Sequence, residues 1–345
     1  MKKILIFGLI IVFALSVTFI GIGCKEKKEA ETTAVETTAA EEAEEPYEIV
    51  LLIKLQHPFF DRQEEGIKEA GADLGVNAYM VGPAEADASQ QVALVEDLIA
   101  KGVDAIIVCP NDPMALDPVC KKANDAGILT FGYEAPNMQN ITYDTEAFDN
   151  NVFGRHILDN MIKYMGTSGK YVNFVGNLTA VVHNQWVDAR VEYAKEKYPD
   201  LIEVSSRIES KEDTTVAYQK TLELLMKYPD LKGFCTSSAA EAPGVAMAIE
   251  EKGLEDETAV VGYGMPSADR EYLKSGAMDE GSLYDPKIMG YFMIWVAYKT
   301  LRGEPITTGM EVPGMGKITV EGNMIYGSEE AILDITAENV DEFQF

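Results

Sequence analysis

The sequence predicts an α/β chain built as two doubly wound parallel-sheet lobes. Short apolar runs alternate with amphipathic stretches from residue 47 to about 264, which is the signature of repeated βα units. The alternation pauses at ITYDTE, residues 141–146, and then starts again. A length of 345 residues is more than one ordinary core holds and fits two domains of similar size.

The first unit is IVLLIKLQHPFFDRQEEGIKEAG, residues 49–71. Ile49 to Ile53 is a continuous apolar run, as expected of a parallel strand buried on both faces. After a corner at 54–61 the period changes, and Phe60, Ile67, Ala70 and Leu74 fall on one helical stripe. Ligands in open α/β sheets sit outside the carboxyl ends of strands. This corner offers a cation, an amide, an imidazole and two phenyl rings: Lys54, Gln56, His57, Phe59 and Phe60.

The second unit is a strand at Val76 to Val81 and a helix over about 87–101, with Ala88, Val92, Val95, Leu98 and Ile99 inward. A strand at Ala105 to Cys109, a helix around Val119 and Ala123, and a strand at Ile128 to Phe131 complete the first lobe. The second lobe reads as helix 150–165, strand 171–175, helix 184–197, strand 202–208, helix 214–228, strand 233–236, a helix beginning near Pro243, and strand 259–263. KYPDL occurs at 197–201 and again at 227–231; the proline ends the helix and the leucine opens the next strand. A short helix and a strand ending in SLYD occupy 266–285. A helix over 287–301 follows, apolar around much of its cylinder, which points to burial at a lobe interface.

A net charge of −28 and a pI near 4.4 argue against nucleic acid as a partner. Lys2 and Lys3 precede an apolar run from Ile4 to Gly23, as in a signal peptide over 1–23 cut before Cys24. Gly21, Ile22, Gly23 and Cys24 resemble a bacterial lipobox, which implies lipid attachment at Cys24. The run is also long enough to stay as an uncleaved anchor, and either alternative puts the protein outside the cytoplasm on a membrane. Residues 24–45 are rich in Glu, Thr and Ala and read as a disordered tether. Cys109, Cys120 and Cys235 read mostly as buried thiols, with a Cys109–Cys120 bond the one conceivable bridge.

Catalytic signatures are missing from the sequence. There is no G-x-S-x-G and no H-E-x-x-H, and GTSGK at 166–170 lacks the glycine spacing and hydroxyl residue of a phosphate loop. The three histidines have no metal-ligand spacing, and His156 reads as a helix-surface or packing residue. No cofactor, metal or catalytic residue is expected.

These pieces resemble a type I periplasmic binding protein of the sugar ABC-transporter class, and within it the autoinducer-2-binding and rhamnose-binding subgroup. The residues that carry the resemblance are Lys54, LQHPFFDRQEEGIKEAG at 55–71, HNQW at 183–186, SLYD at 282–285, VPGMGKITV at 312–320 and ENVDEF at 338–343. It implies two lobes joined by a three-crossing hinge. The first would be 46–143 plus a returning helix at 286–308, and the second 144–285 plus 309–345. It also implies ligand roles for Lys54, Phe59, Phe60, Tyr133, Glu134, Ser237, Ser238, Ala239 and Asp285. Three family carboxylate positions differ, with Gly132, Val182–His183 and Gly264 standing in their place, so the resemblance does not name the sugar.

Residue chemistry points to a small polyol as well. A sugar needs rings for its C–H faces and charged or polar groups for its hydroxyl rim. Phe59, Phe60, Tyr133 and Trp186 supply rings; Lys54, Gln56, His57, Glu134, His183, Asn184 and Asp285 supply the rim. Structural roles compete: Lys54 as ion-pair partner of Asp61 or Asp285, Trp186 as helix packing, Asp144 and Thr145 as hinge. The expectation is a monomeric binding protein that hands a small sugar or sugar-like ligand to ABC permease subunits. A receptor feeding a chemoreceptor or sensor kinase is the alternative.

Overall fold

The computed structural model describes residues 45–345. The expected signal peptide, the Cys24 attachment point and nearly all of the tether lie outside the described residues.

Among the described residues two large sheets form, one in each lobe, beside a small two-stranded sheet in the C-terminal tail. In chain order the first receives β1 (Glu48–Leu52), β2 (Asn77–Val81), β3 (Ala105–Val108), β4 (Leu129–Tyr133) and β5 (Asp144–Glu146). The second receives β6 (Gly169–Val175), β7 (Leu201–Glu203), β8 (Ile208–Glu209), β9 (Leu231–Thr236), β10 (Ala259–Tyr263) and β11 (Glu280–Leu283). The tail adds β12 (Glu311–Val312), β13 (Gly316–Lys317), β14 (Thr319–Glu321), β15 (Met324–Tyr326) and β16 (Leu333–Ile335). The helices are α1 (Pro58–Leu74), α2 (Ala88–Lys101), α3 (Pro113–Asp125), α4 (Asn150–Met165), α5 (Val181–Lys197), α6 (Thr214–Lys227), α7 (Glu241–Lys252), α8 (Pro266–Ser275) and α9 (Pro286–Leu301).

The sheet orders are β14-β15-β5-β4-β3-β1-β2 and β16-β11-β10-β9-β6-β7, with β8 also beside β6. Strands β1 to β5 and β6 to β11 pair in parallel, while β14 and β16 join antiparallel. The order reverses between β1 and β3 in one sheet and between β6 and β9 in the other. Those two switch points are where side chains can converge on a ligand.

Alternate residues of β1 feed separate cores. Ile49 and Leu51 join the main cluster, and Val50 and Leu52 join a second one with residues of α2 and α3. Asp87, Asp112, Asp149 and Asp213 cap α2, α3, α4 and α6, each accepting two first-turn N–H groups. Both KYPDL repeats behave as expected, with α5 and α6 ending at Lys197 and Lys227 and β7 and β9 starting at Leu201 and Leu231.

Three expectations need correction. Helix α9 packs on α1 and the first sheet rather than at a lobe interface. The close approach needs glycine, since a Cβ on Gly66 would lie 1.8 Å from the Lys287 carbonyl oxygen and one on Gly290 2.2 Å from that of Gln63. The lobe changes also shift. β5, β14 and β15 belong to the first sheet, so the chain switches sheets after Glu146, after Leu283 and after Tyr326, rather than at 144 and 309. Lastly, the strand expected at 202–208 is two short strands, β7 and β8, divided at Val204–Arg207. Cys109, Cys120 and Cys235 are buried free thiols. Among the described residues no helix is long and apolar enough to cross a membrane.

Candidate functional site

Between the switch points lies a cavity with about 490 Å³ of non-atom space, open solvent at its mouth included. Rings from both lobes close over it. Phe59 lies 6.1 Å from Tyr263, and the Tyr133 and Tyr284 hydroxyls hydrogen-bond to each other.

The β1 corner supplies much of one wall. Buried Gln91 donates to the Ile53 and Cys109 carbonyls at 3.0 and 2.8 Å, and Asn111 Nδ2 donates to the Lys54 carbonyl at 2.8 Å. These bonds fix where Lys54 leaves the strand. Its Nζ lies 2.8 Å from Glu134 Oε2. Burial opposes the Lys54 charge, yet the Glu134 and Glu212 carboxylates hold its pKa above the ordinary lysine value. His57 caps α1 by accepting from the Phe59 N–H at 3.1 Å, and burial lowers its pKa. Phe59 and Phe60 meet edge to face at 5.2 Å.

Glu134 follows β4 with a left-handed backbone, φ 56°. Asp144 braces this turn by accepting from the Ala135 N–H at 3.1 Å. A Cβ on Gly132 would lie 2.4 Å from Asp144 Oδ1, so glycine at 132 makes room for that carboxylate. Burial raises the Asp144 pKa to about 7 and that of Glu146 well above its usual value.

The opposite wall comes from the second lobe, from α5 and from the loops that follow its strands. His183 Nδ1 accepts from the Gly176 N–H at 3.2 Å, which leaves the ring proton on Nε2. Burial, with Lys54 and Arg190 nearby, holds its pKa well below the usual value, so the ring is a neutral donor. Trp186 stacks on Tyr263 at 5.5 Å and 17°, and its Nε1 donates to Asn150 Oδ1 at 2.6 Å. Ser237 and Ser238 donate backbone N–H groups to Glu241 Oε2 at 2.7 and 3.0 Å. Arg190, fully buried, donates to Ser237 Oγ at 2.6 Å. Burial pushes Glu241 up to about 8.

Of the residues singled out from the sequence, Lys54, His57, Phe59, Phe60, Tyr133, Glu134, His183, Trp186 and Ser237–Ala239 surround this cavity. Three do not. Gln56 is exposed, with its amide 3.5 Å from the Gly82 carbonyl. Asn184 spends its amide on the Leu178 and Ala180 carbonyls at the start of α5. Asp285 caps α9 through the Lys287 N–H and takes both Arg62 Nε and Nη2, at 2.9 and 2.8 Å. Its pairing with Arg62 also removes it as a partner for Lys54. His156 packs rather than facing the cavity, its Nε2–H donating to Asp334 Oδ1 at 2.7 Å.

Leu55, Glu212, Ala240 and Tyr263 also line the cavity and were not anticipated. Tyr263 was readable as the last residue of a strand. Glu212 carried no signal, because one acid among 57 Asp and Glu residues stands out only when the backbone aims it. Among the described residues no cluster of three or more His, Cys, Asp or Glu could hold a metal ion.

The periplasmic binding protein domain family matches residues 49–305. The D-ribose/D-allose-binding protein of Pseudomonas aeruginosa is 25% identical over 296 residues, covering 82% of this chain and 90% of the relative. The ribose import binding protein RbsB of Bacillus subtilis is 23% identical over 259 residues, 75% of this chain and 83% of the relative. Among solved structures, an ABC transporter solute binding protein from Clostridium phytofermentas with bound L-rhamnose superposes with a TM-score of 0.79 at 20% identity, over 86% of this chain and 98% of the other. LsrB from Clostridium saccharobutylicum in complex with AI-2 gives 0.78 at 20% identity, over 86% and 100%.

Proposed function

Because this chain belongs to the periplasmic binding protein domain family, we propose that it captures a small sugar in the inter-lobe cavity and delivers it to the permease of an ABC importer. The carrying observation is the cavity itself. Rings from both lobes flank one buried ion pair and one neutral imidazole donor. Rings suit the C–H faces of a sugar, and charged or polar groups suit its hydroxyls. The relatives whose names state a ligand bind ribose, allose and other sugars, which supports the same class here. Names such as ribose import binding protein also favour import over the sensory alternative.

The chain binds without catalysis in this reading. Micromolar affinity needs about −8 kcal/mol, and a few charge-assisted hydrogen bonds at roughly 1.5–3 kcal/mol each reach that after the cost of association. Guest and lobes touch on both sides only in the closed arrangement, so ligand favours closure. Attachment through Cys24, a position outside the cytoplasm and a monomeric state complete the proposal. A thermal-shift screen of the full chain against pentoses, hexoses, deoxyhexoses, polyols and autoinducer-2 tests it. Stabilisation by a monosaccharide supports the reading, and stabilisation by none of these compounds contradicts it.

A further inference from the structure

The cavity contains a carboxylate for which the protein supplies too few donors. Lys54 is engaged by Glu134 at 2.8 Å, and the second acid, Glu212, has a hydrogen bond from Ser238 Oγ to its Oε2. Its Oε1 has no hydrogen-bond partner among the described residues. Burial raises the Glu212 pKa, and Lys54 offsets this in part while Glu134 works against ionisation. One lysine is thus shared between two carboxylates.

The local fold is arranged to aim that acid inward. Strand β8 stops at Glu209, and Lys211 and Glu212 adopt left-handed backbone at φ 60° and 55°. Among the described residues the only other non-glycine with positive φ is Glu134, the opposite carboxylate, at 56°. Such backbone is strained for a residue carrying a side chain and persists where the surroundings hold it in place. Space for the side chain comes from Gly176, where a Cβ would lie 2.1 Å from Glu212 Oε1.

We infer that Glu212 sets the ligand class of this cavity: its guest presents a neutral hydroxyl donor to the Glu212 carboxylate, and sugars carrying a carboxylate or phosphate are refused. This rests on the sugar-binding reading above and adds the charge type of the sugar. The paired lysine does not reverse the preference, because an acidic guest has to compete with Glu134 for Lys54 while facing Glu212. Arg190 is engaged with Ser237 Oγ and the Trp186 and Thr236 carbonyls beneath the site, and His183 is neutral.

The test uses the full chain with D-ribose, D-allose, L-rhamnose and D-galactose, and compares by calorimetry each binder with its own sugar acid or phosphate ester. The expected result is at least a hundredfold preference for the neutral sugar, narrowing to less than tenfold in Glu212→Gln. Gly176→Ala keeps the charge but displaces the carboxylate, and should weaken the neutral sugar at least tenfold. A neutral sugar that binds Gly176→Ala as it binds the wild type, or a preference unchanged in Glu212→Gln, overturns the assignment. If the panel produces no binder, the sugar reading fails and this assignment fails with it.

Discussion

Lys54 Nζ donates to Glu134 Oε2 at 2.8 Å, and about nine-tenths of each side chain is buried. The pair joins the ends of β1 and β4 at the cavity wall. Removing one partner strands the other charge, at a cost of roughly 3–5 kcal/mol. Lys54→Met should therefore lower unfolding stability by a few kcal/mol, and adding Glu134→Gln should restore most of that loss without restoring ligand binding. Urea unfolding of the single and double variants checks this. A double variant no more stable than the single would show that the charge pair is not the cause.

Asp285 separates structural from ligand roles at the same end of the molecule. It caps α9 and holds Arg62, and it stands outside the cavity lining. Asp285→Ala is expected to cost about 1–2 kcal/mol of stability through the lost cap, with sugar affinity within about twofold of wild type. A tenfold loss of affinity with an unchanged melting curve would reverse the assignment.

Trp186 provides an optical readout. It stacks on Tyr263 at the cavity wall, whereas the second of the two tryptophans, Trp295, is on α9. A saturating sugar should change the intrinsic emission, and Trp186→Phe should remove that change while weakening affinity by roughly fivefold, the worth of about 1 kcal/mol of ring contact. An emission change that survives in Trp186→Phe would place the guest elsewhere.

Stability should fall as pH rises. Burial raises Asp144 to about 7 and Glu241 and Asp269 to about 8. Each acid then binds its proton more tightly folded than unfolded, so its stabilisation is full below about pH 4 and is lost as pH climbs through 7 and 8. His156, raised by Asp334, acts in the same direction around neutrality. Asp334 itself is lowered, and its contribution is lost only on acidification. Asp269 is the cleanest probe, because both carboxyl oxygens are buried without a hydrogen-bond partner. Asp269→Asn should leave the melting temperature near wild type at pH 5.5 and raise it at pH 8.5 by roughly 5–10 °C, on the order of 3 kcal/mol for a carboxyl raised to about 8. Equal effects at the two pH values would contradict the assignment.

The legible part of this molecule was the part written in periodicity. The apolar run at 49–53, the two KYPDL stops and the restart after 141–146 report burial on local period, and they recover the two sheets. Lys54, the phenyl pair, His183 and Trp186 line the cavity and were legible as candidates because they stand just past a strand end or in the first turns of a helix. Gln56, Asn184 and Asp285 were misjudged because chemistry alone does not say where a polar side chain is already engaged. Asp285 looked free until a fold bringing α1 to α9 delivered Arg62. Glu212 was illegible for the opposite reason. Its placement depends on the end of β8 at Glu209, on two left-handed residues and on space left by Gly176, none of which has a periodic signal. Likewise, Gly132 and Gly264 read as lost carboxylates, but the structure fills their side-chain space with those of Asp144 and Asp269, each 2.4 Å from where a Cβ would stand.

The most direct measurement is calorimetric titration of the full chain and of Lys54→Met with the monosaccharide that gives the largest thermal shift. One-to-one binding at micromolar or tighter Kd, with at least a hundredfold loss in Lys54→Met, is the predicted result. Undiminished affinity in Lys54→Met would contradict the assignment of the inter-lobe cavity as the sugar site.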